Sequence, residues 1–146
     1  MSQDLYEHIG WNSKRIAHLL TNLHNKKLEK HGVTIAQYRA LYFLKETNGL
    51  SQSQLLDKLK VKPSTLTGII EQLETKKFVY RKSCDKDARI KNLFLTPLGT
   101  NKIESLWNVL FNMEEQLTKG FTPEEKALML SWQRKLIHNL LEEAET

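Results

Sequence analysis

Residues 51–77 read SQSQLLDKLKVKPSTLTGIIEQLETKK, and the fold follows from their spacing. Ser51 and Gln54 head an apolar run, three positions apart, so each side chain satisfies a free backbone N–H of a first helical turn. Leu55, Leu56 and Leu59 mark the inward face of a short helix from Ser51 to about Leu59. Lys60-Val61-Lys62 is a brief turn. Pro63 suits the first position of the next helix, where its missing N–H costs nothing. Leu66, Ile69, Ile70 and Leu73 give that helix a clean face to about Lys77. Two helices joined by so short a turn form a helix-turn-helix candidate.

Past Lys77 the period changes. Phe78-Val79-Tyr80-Arg81-Lys82 and Ile90-Lys91-Asn92-Leu93-Phe94-Leu95 read as two strands, with Val79 and Arg81 facing away from Tyr80 and Lys82. Between them lies a polar tip, Cys84-Asp85-Lys86-Asp87-Ala88-Arg89. A helix-turn-helix followed by a two-stranded hairpin is the winged variant. Upstream, Thr34 and Gln37 repeat the capping-box spacing and open a helix with Ile35, Tyr38, Leu41 and Tyr42 on its buried face, ended by Asn48-Gly49. Residues 5–30 predict one continuous helix with the stripe Ile16, Leu19, Leu20 and Leu23, stopped at Gly32. Downstream, Thr96-Pro97 opens a helix striped with Ile103, Leu106, Trp107, Leu110 and Leu117, with Phe111 alongside, broken at Gly120. Thr122-Pro123-Glu124-Glu125 caps a last helix, whose Leu128, Trp132, Leu136 and Leu140 recur every four residues.

The expected fold is therefore mainly α with a small β-hairpin wing (α+β), a winged helix-turn-helix with long terminal helices. Residues 34–96 form the winged lobe within a single domain of 146 residues. Residues 1–33 and 97–146 form a helical region whose apolar stripes a lobe of that size cannot cover, so a symmetric homodimer is expected.

Composition bounds the function. With 40% apolar and 27% charged residues the chain sustains a core. One cysteine excludes an internal disulfide framework and a Cys-rich zinc site. No apolar run is long enough to span a membrane, and Met1-Ser2-Gln3-Asp4 opens no leader pattern. A cytoplasmic protein with no membrane partner is expected. The histidines, His8, His18, His24, His31 and His138, never pair at the spacing that puts two imidazoles on one helix face, so no metal is expected. With no Ser-His-Asp pattern, phosphate-binding glycine loop or paired acids, neither an enzyme nor a cofactor is expected.

Net charge is +5, and it is unevenly spread: residues 1–50 carry +3, residues 51–100 carry +5 and residues 101–146 carry −3. The basic middle third is the winged segment, which points to a polyanion. A recognition helix presents short polar groups from its first turns to base edges. Ser64, Thr65, Thr67 and Gly68 occupy those positions; the hydroxyls suit bases or phosphates and the threonine methyls suit thymine. Lys62, just before the helix, reaches a phosphate, and the helix N-terminus attracts one. The same residues also serve as ordinary first-turn residues. At the hairpin tip, Arg89 and Lys86 stand beside Asp85 and Asp87. A long basic side chain there suits a narrow minor groove, and Asp87 can fix the guanidinium through paired hydrogen bonds.

The chain resembles the MarR family of winged helix-turn-helix regulators over nearly its whole length. The stretches that carry the resemblance are Leu50-Ser51-Gln52-Ser53-Gln54-Leu55, Pro63-Ser64-Thr65-Leu66-Thr67 and Leu73-Glu74-Thr75-Lys76-Lys77-Phe78-Val79. The family's wing signature, Asp-x-Arg and then Leu-Thr-x-x-Gly, is matched by Asp87, Arg89, Leu95, Thr96 and Gly99. The resemblance implies a homodimer interlocked through its first, fifth and sixth helices. It implies double-stranded DNA as partner, with Ser51 and Gln52 among the DNA-binding residues, the Ser64–Thr67 region in the major groove and Arg89 in the minor groove. It also implies a pseudo-palindromic operator, read for repression. Some members answer to phenolic effectors, for which Trp11, Tyr38, Tyr42, Trp107 and Phe111 are the candidate lining. Three positions depart from the pattern. Lys62 replaces a small polar cap, Gly68 replaces a side chain that is often basic, and Lys77 replaces a glycine, so that turn is expected to differ. A protein-docking winged helix and a small-molecule binder without DNA are the alternatives; the basic winged face argues against the first, and Gly68 is the hint for the second.

Overall fold

The structure, a computed structural model, describes residues 3–146; Met1 and Ser2, part of the stretch read for a leader, lie outside them. The chain divides into two compact units, one up to Leu110 and one from Phe111 to Thr146. The first holds α1 (Ile9–Glu29), α2 (Ile35–Glu46), β1 (Leu50–Ser51), α3 (Gln52–Leu59), α4 (Pro63–Thr75), β2 (Val79–Ser83) and β3 (Lys91–Leu95). Helix α5 (Pro97–Leu117) begins in the first unit and ends in the second, which also holds α6 (Pro123–Ala144).

Local chemistry explains most boundaries. The capping boxes at Thr34/Gln37, Ser51/Gln54 and Thr122/Glu125 are all formed, each with both reciprocal hydrogen bonds. Pro63 and Pro123 sit in first turns, as their missing N–H allows. Gly32, at φ +74°, closes α1 in the left-handed conformation that a residue without Cβ adopts freely.

The first helix differs from the continuous 5–30 span. A 3-10 turn, Leu5–Glu7, precedes α1, and His8 between them is extended at φ −94° and ψ 126°. The side chain of Asp4 caps that turn by accepting from the Tyr6 N–H (3.0 Å), and Asn12 Nδ2 donates to the Tyr6 and His8 carbonyls. These polar bonds compete with the helical ladder and win at the terminus.

The sheet also has a third strand. Its order is β1-β3-β2, all antiparallel, with Leu50 opposite Leu93 and Val79 opposite Leu95. A strand of only two residues has no period to read, and Leu50-Ser51 is recruited by the free edge of β3.

Helices α2, α3 and α4 pack on this sheet around a core in which Leu28, Leu41, Leu55, Leu66, Ile70, Leu73, Leu93 and Leu106 are fully buried. Burial of each such side chain is worth about 1.5–3 kcal/mol. The wing joins α5 through the signature residues. Thr96 Oγ1 accepts from the Gly99 N–H (3.0 Å), capping α5, and donates to the Lys77 carbonyl (2.6 Å). A Cβ on Gly99 would lie 2.0 Å from the Phe78 carbonyl oxygen, so the backbones meet only through glycine.

Candidate nucleic-acid interface

Helix α4 presents its first two turns outward. Ser64, Thr65 and Thr67 are exposed, while Leu66, Ile69, Ile70 and Leu73 hold the opposite face in the core. Lys62 occupies the cap position, where its ammonium, a donor only, cannot cap the helix N–H groups, and it is exposed. A Cβ on Gly68 would meet nothing within 4 Å, which leaves a shallow groove along the helix bordered by Glu71 and Gln72.

Two candidate contacts are already engaged within the chain. Thr67 Oγ1 donates to the Pro63 carbonyl and accepts from Gln52 Nε2, both at 3.1 Å. Its hydroxyl is therefore occupied, and its methyl is the group left for a base. The same bond ties Gln52, at the start of α3, to the outer face of α4. The Ser51 hydroxyl accepts the Gln54 N–H at 3.1 Å, which leaves its O–H free to donate. Ser64 and Thr65 make no side-chain hydrogen bond among the described residues and so have their hydroxyls available.

The wing tip carries a two-pronged fork. Arg89 Nε and Nη2 each donate to Asp87 at 3.1 Å, and the Arg89 backbone N–H donates to the same carboxylate at 3.0 Å. These hydrogen bonds from Arg89 hold the Asp87 carboxyl below the usual carboxylate range. The Arg89 side chain is nevertheless 91% exposed, so the guanidinium is aimed rather than buried. Lys86 beside it is exposed, and Cys84, the free thiol, is half-buried. At the wing base, Arg81 pairs with Glu74 of α4 at 3.0 Å, joining wing to recognition helix.

The effector candidates separate. Tyr38, Tyr42 and Trp107 come together with Lys45, Glu46, Ile103 and Glu104 around a cavity of about 320 Å³. A second cavity of about 320 Å³ lies on the other side of Tyr38 and Tyr42, flanked by Arg39 and Lys58. Partial burial, with Tyr42 nearby, raises the Tyr38 phenol above its ordinary 10.0 and keeps it a neutral donor. Trp11 lines neither cavity, and Phe111 belongs to the second unit.

Sequence spacing assigns Gln37 only to a capping box and says nothing of Gln72 or Lys76. In the fold all three meet, although 35 or more residues separate Gln37 from the other two. No local signal marks such a contact.

A family model described as MarR family matches residues 33–91. The Bacillus subtilis protein YwoH, named an uncharacterized HTH-type transcriptional regulator, is 30% identical over 110 residues, covering 75% of this chain and 80% of YwoH. The chain belongs to the MarR family. Its MarR-type winged helix is also seen in Staphylococcus aureus MepR, solved as a DNA complex: the TM-score is 0.80 at 26% identity, over 91% of this chain and 96% of MepR. The B. subtilis transcriptional repressor MdtR is 37% identical over 81 residues, 56% of this chain and 52% of MdtR, so that match spans about half of the repressor. This MarR-family protein is accordingly a DNA-binding transcriptional regulator. Among the described residues, no helix is long and apolar enough to cross a membrane, and no cluster of His, Cys, Asp and Glu is arranged to hold a metal ion.

Proposed function

We propose that this MarR-family regulator is a homodimeric repressor of a pseudo-palindromic operator, with one α4 per subunit in the major groove and Arg89 in the minor groove. The Asp87–Arg89 fork carries the reading, because an exposed guanidinium held in one direction has little use except against an external anionic surface. Ser64 and Thr65 read base edges, and the Thr67 methyl and Gln52 read from the same side. Lys62 and Lys86 bind phosphates, and Ser51 and Gly68 let the backbone approach. The half-sites lie one helical turn apart, about 34–36 Å. MdtR's name as a repressor supports the sign of regulation.

The experiment is selection from a random duplex pool by the purified protein, followed by anisotropy titration of the recovered duplex. Arg89→Ala is expected to weaken binding to that duplex with an unchanged circular dichroism spectrum. Unchanged affinity would remove Arg89 from the interface.

The Tyr38–Tyr42–Trp107 cavity favours one addition. A neutral phenol suits the space between the rings, with the neutral Tyr38 hydroxyl as donor, because Lys45 is paired with Glu104 at 3.4 Å and Glu46 adds a second carboxylate to the lining. Phenol is expected to quench part of the tryptophan fluorescence, a part lost in Trp107→Phe, and to release the duplex. Quenching that persists in a Tyr38→Phe, Tyr42→Ala variant would move the ligand elsewhere.

A further inference from the structure

At the C-terminal end of α4, two turns beyond Thr65, three segments of the first unit meet in one polar cluster. Gln37, in the first turn of α2, is 3% exposed and is the buried polar side chain among the described residues. Both ends of its amide are engaged. Oε1 accepts from the Thr34 N–H (3.2 Å) and from Lys76 Nζ (2.9 Å), and Nε2 donates to Gln72 Oε1 (2.6 Å). Lys76 Nζ also donates to the Gly32 carbonyl, at 2.5 Å. The cluster thus links the α1–α2 turn, the start of α2 and the last turn of α4.

The core contacts of α4 are all aliphatic: Leu66, Ile69, Ile70 and Leu73. Aliphatic packing fixes which face of α4 is buried but opposes small rolls about the helix axis less sharply, because the hydrophobic effect is not directional. Hydrogen bonds are directional, and a buried amide that loses its partners bears its full desolvation cost. A roll of α4 would break the Gln37–Gln72 and Gln37–Lys76 bonds together. On another flank, Glu74 is bonded to Arg81 Nε of β2 at 3.0 Å, so the last turns of α4 are held from two sides, while its first turns are held by Leu66 in the core and by the Gln52–Thr67 bond.

We propose that Gln37, Gln72 and Lys76 form a clamp that sets the rotation of α4, and with it the register of Ser64 and Thr65 against the bases. They are positioning residues, acting without touching DNA. The inference rests on α4 being the DNA-reading helix.

The test uses the full chain, a duplex recovered from a random pool by the unaltered protein, and an unselected duplex as control. Gln37→Leu is expected to lower affinity for the recovered duplex by about fivefold or more, the scale of ordinary coupling between sites. Affinity for the unselected duplex and the slope of log affinity against log salt should stay unchanged, at a temperature where the variant is fully folded. Lys76→Met, a surface change that leaves the core intact, should show the same selective loss. The double variant should be no worse than either single one, because both remove one shared interaction. Lys76→Arg, which keeps the donors, should restore much of the affinity. A folded Gln37→Leu, or a folded Lys76→Met, that binds the recovered duplex normally overturns the clamp. So does a Lys76→Met loss that is equal on both duplexes with the salt slope reduced by about one, which would make Lys76 a phosphate contact. If the unaltered protein recovers no preferred duplex, the DNA-reading assignment of α4 fails and the clamp with it.

Discussion

Lys77 carries a φ of +62°, a left-handed conformation that costs an L-residue about 1–2 kcal/mol relative to the ordinary helix. The turn beyond α4 keeps the form a glycine would give it, with the Lys77 N–H on the Glu74 carbonyl and the Phe78 N–H on the Leu73 carbonyl, both at 2.9 Å. The expectation that this turn differs is therefore corrected: the loop is retained and the lysine bears the strain. Lys77→Gly should raise stability by about 0.5–1 kcal/mol, net of glycine's greater unfolded-state entropy, as measured by urea denaturation. The opposite case is Gly99. A methyl there would overlap the Phe78 carbonyl, and Gly99→Ala should cost about 3 kcal/mol, at the upper end for overpacking. An unchanged denaturation midpoint would show that the wing and α5 can part freely. The Leu-Thr-x-x-Gly signature is thus explained by chain packing, with Thr96 and Gly99 acting on the protein's own backbone rather than on DNA.

At the scale of elements, the geometry of the wing tip depends on a titrating group. Arg89 depresses the Asp87 pKa, so the carboxylate form is favoured by the fold. Its contribution is complete above the ordinary value of 3.8 and is lost as pH falls through the lower folded value. The fork is thus intact throughout the neutral range. A carbon-detected NMR titration should place the Asp87 midpoint below 3.8 and move it back toward that value in Arg89→Ala. The helix-turn-helix and the hairpin were legible from spacing because their signals are local: capping boxes at Thr34, Ser51 and Thr122, Pro63 in a first turn, and alternation along the strands. Strand β1 was not legible, since Leu50 and Ser51 become a strand only when β3 lies alongside. The break at His8 was equally hidden, because Asp4 and Asn12 compete with a helix pattern that continues across it.

For the whole molecule, the second unit poses the question of what covers it. No side chain of α6 is buried, and Trp132 is 53% and Leu140 70% exposed. In α1 only Leu28 is buried, and Ile16 and Leu19 are about half exposed. Apolar helix faces on this scale are covered by a partner, and the proposed partner is a second copy. Light scattering should give twice the 17.1 kDa chain mass, and Trp132→Asp with Leu136→Asp should return it to one chain and weaken operator binding. A single-chain mass for the unaltered protein would end the dimer proposal. Affinity for DNA should also fall steeply with salt, because the +5 of residues 51–100 meets phosphates. What could be read without coordinates was whatever neighbouring residues settle among themselves: helix starts, the turn between α3 and α4, and the Asp87–Arg89 pair two positions apart. What needed the folded chain was every contact between distant segments. Gln37 closing on Gln72 and Lys76, Tyr38 and Tyr42 sharing a cavity with Trp107, and the Thr67 hydroxyl being occupied by Gln52 all fall in that class. Hydrogen bonds and cavities of this kind depend on how helices are oriented in three dimensions, and linear spacing carries no record of it.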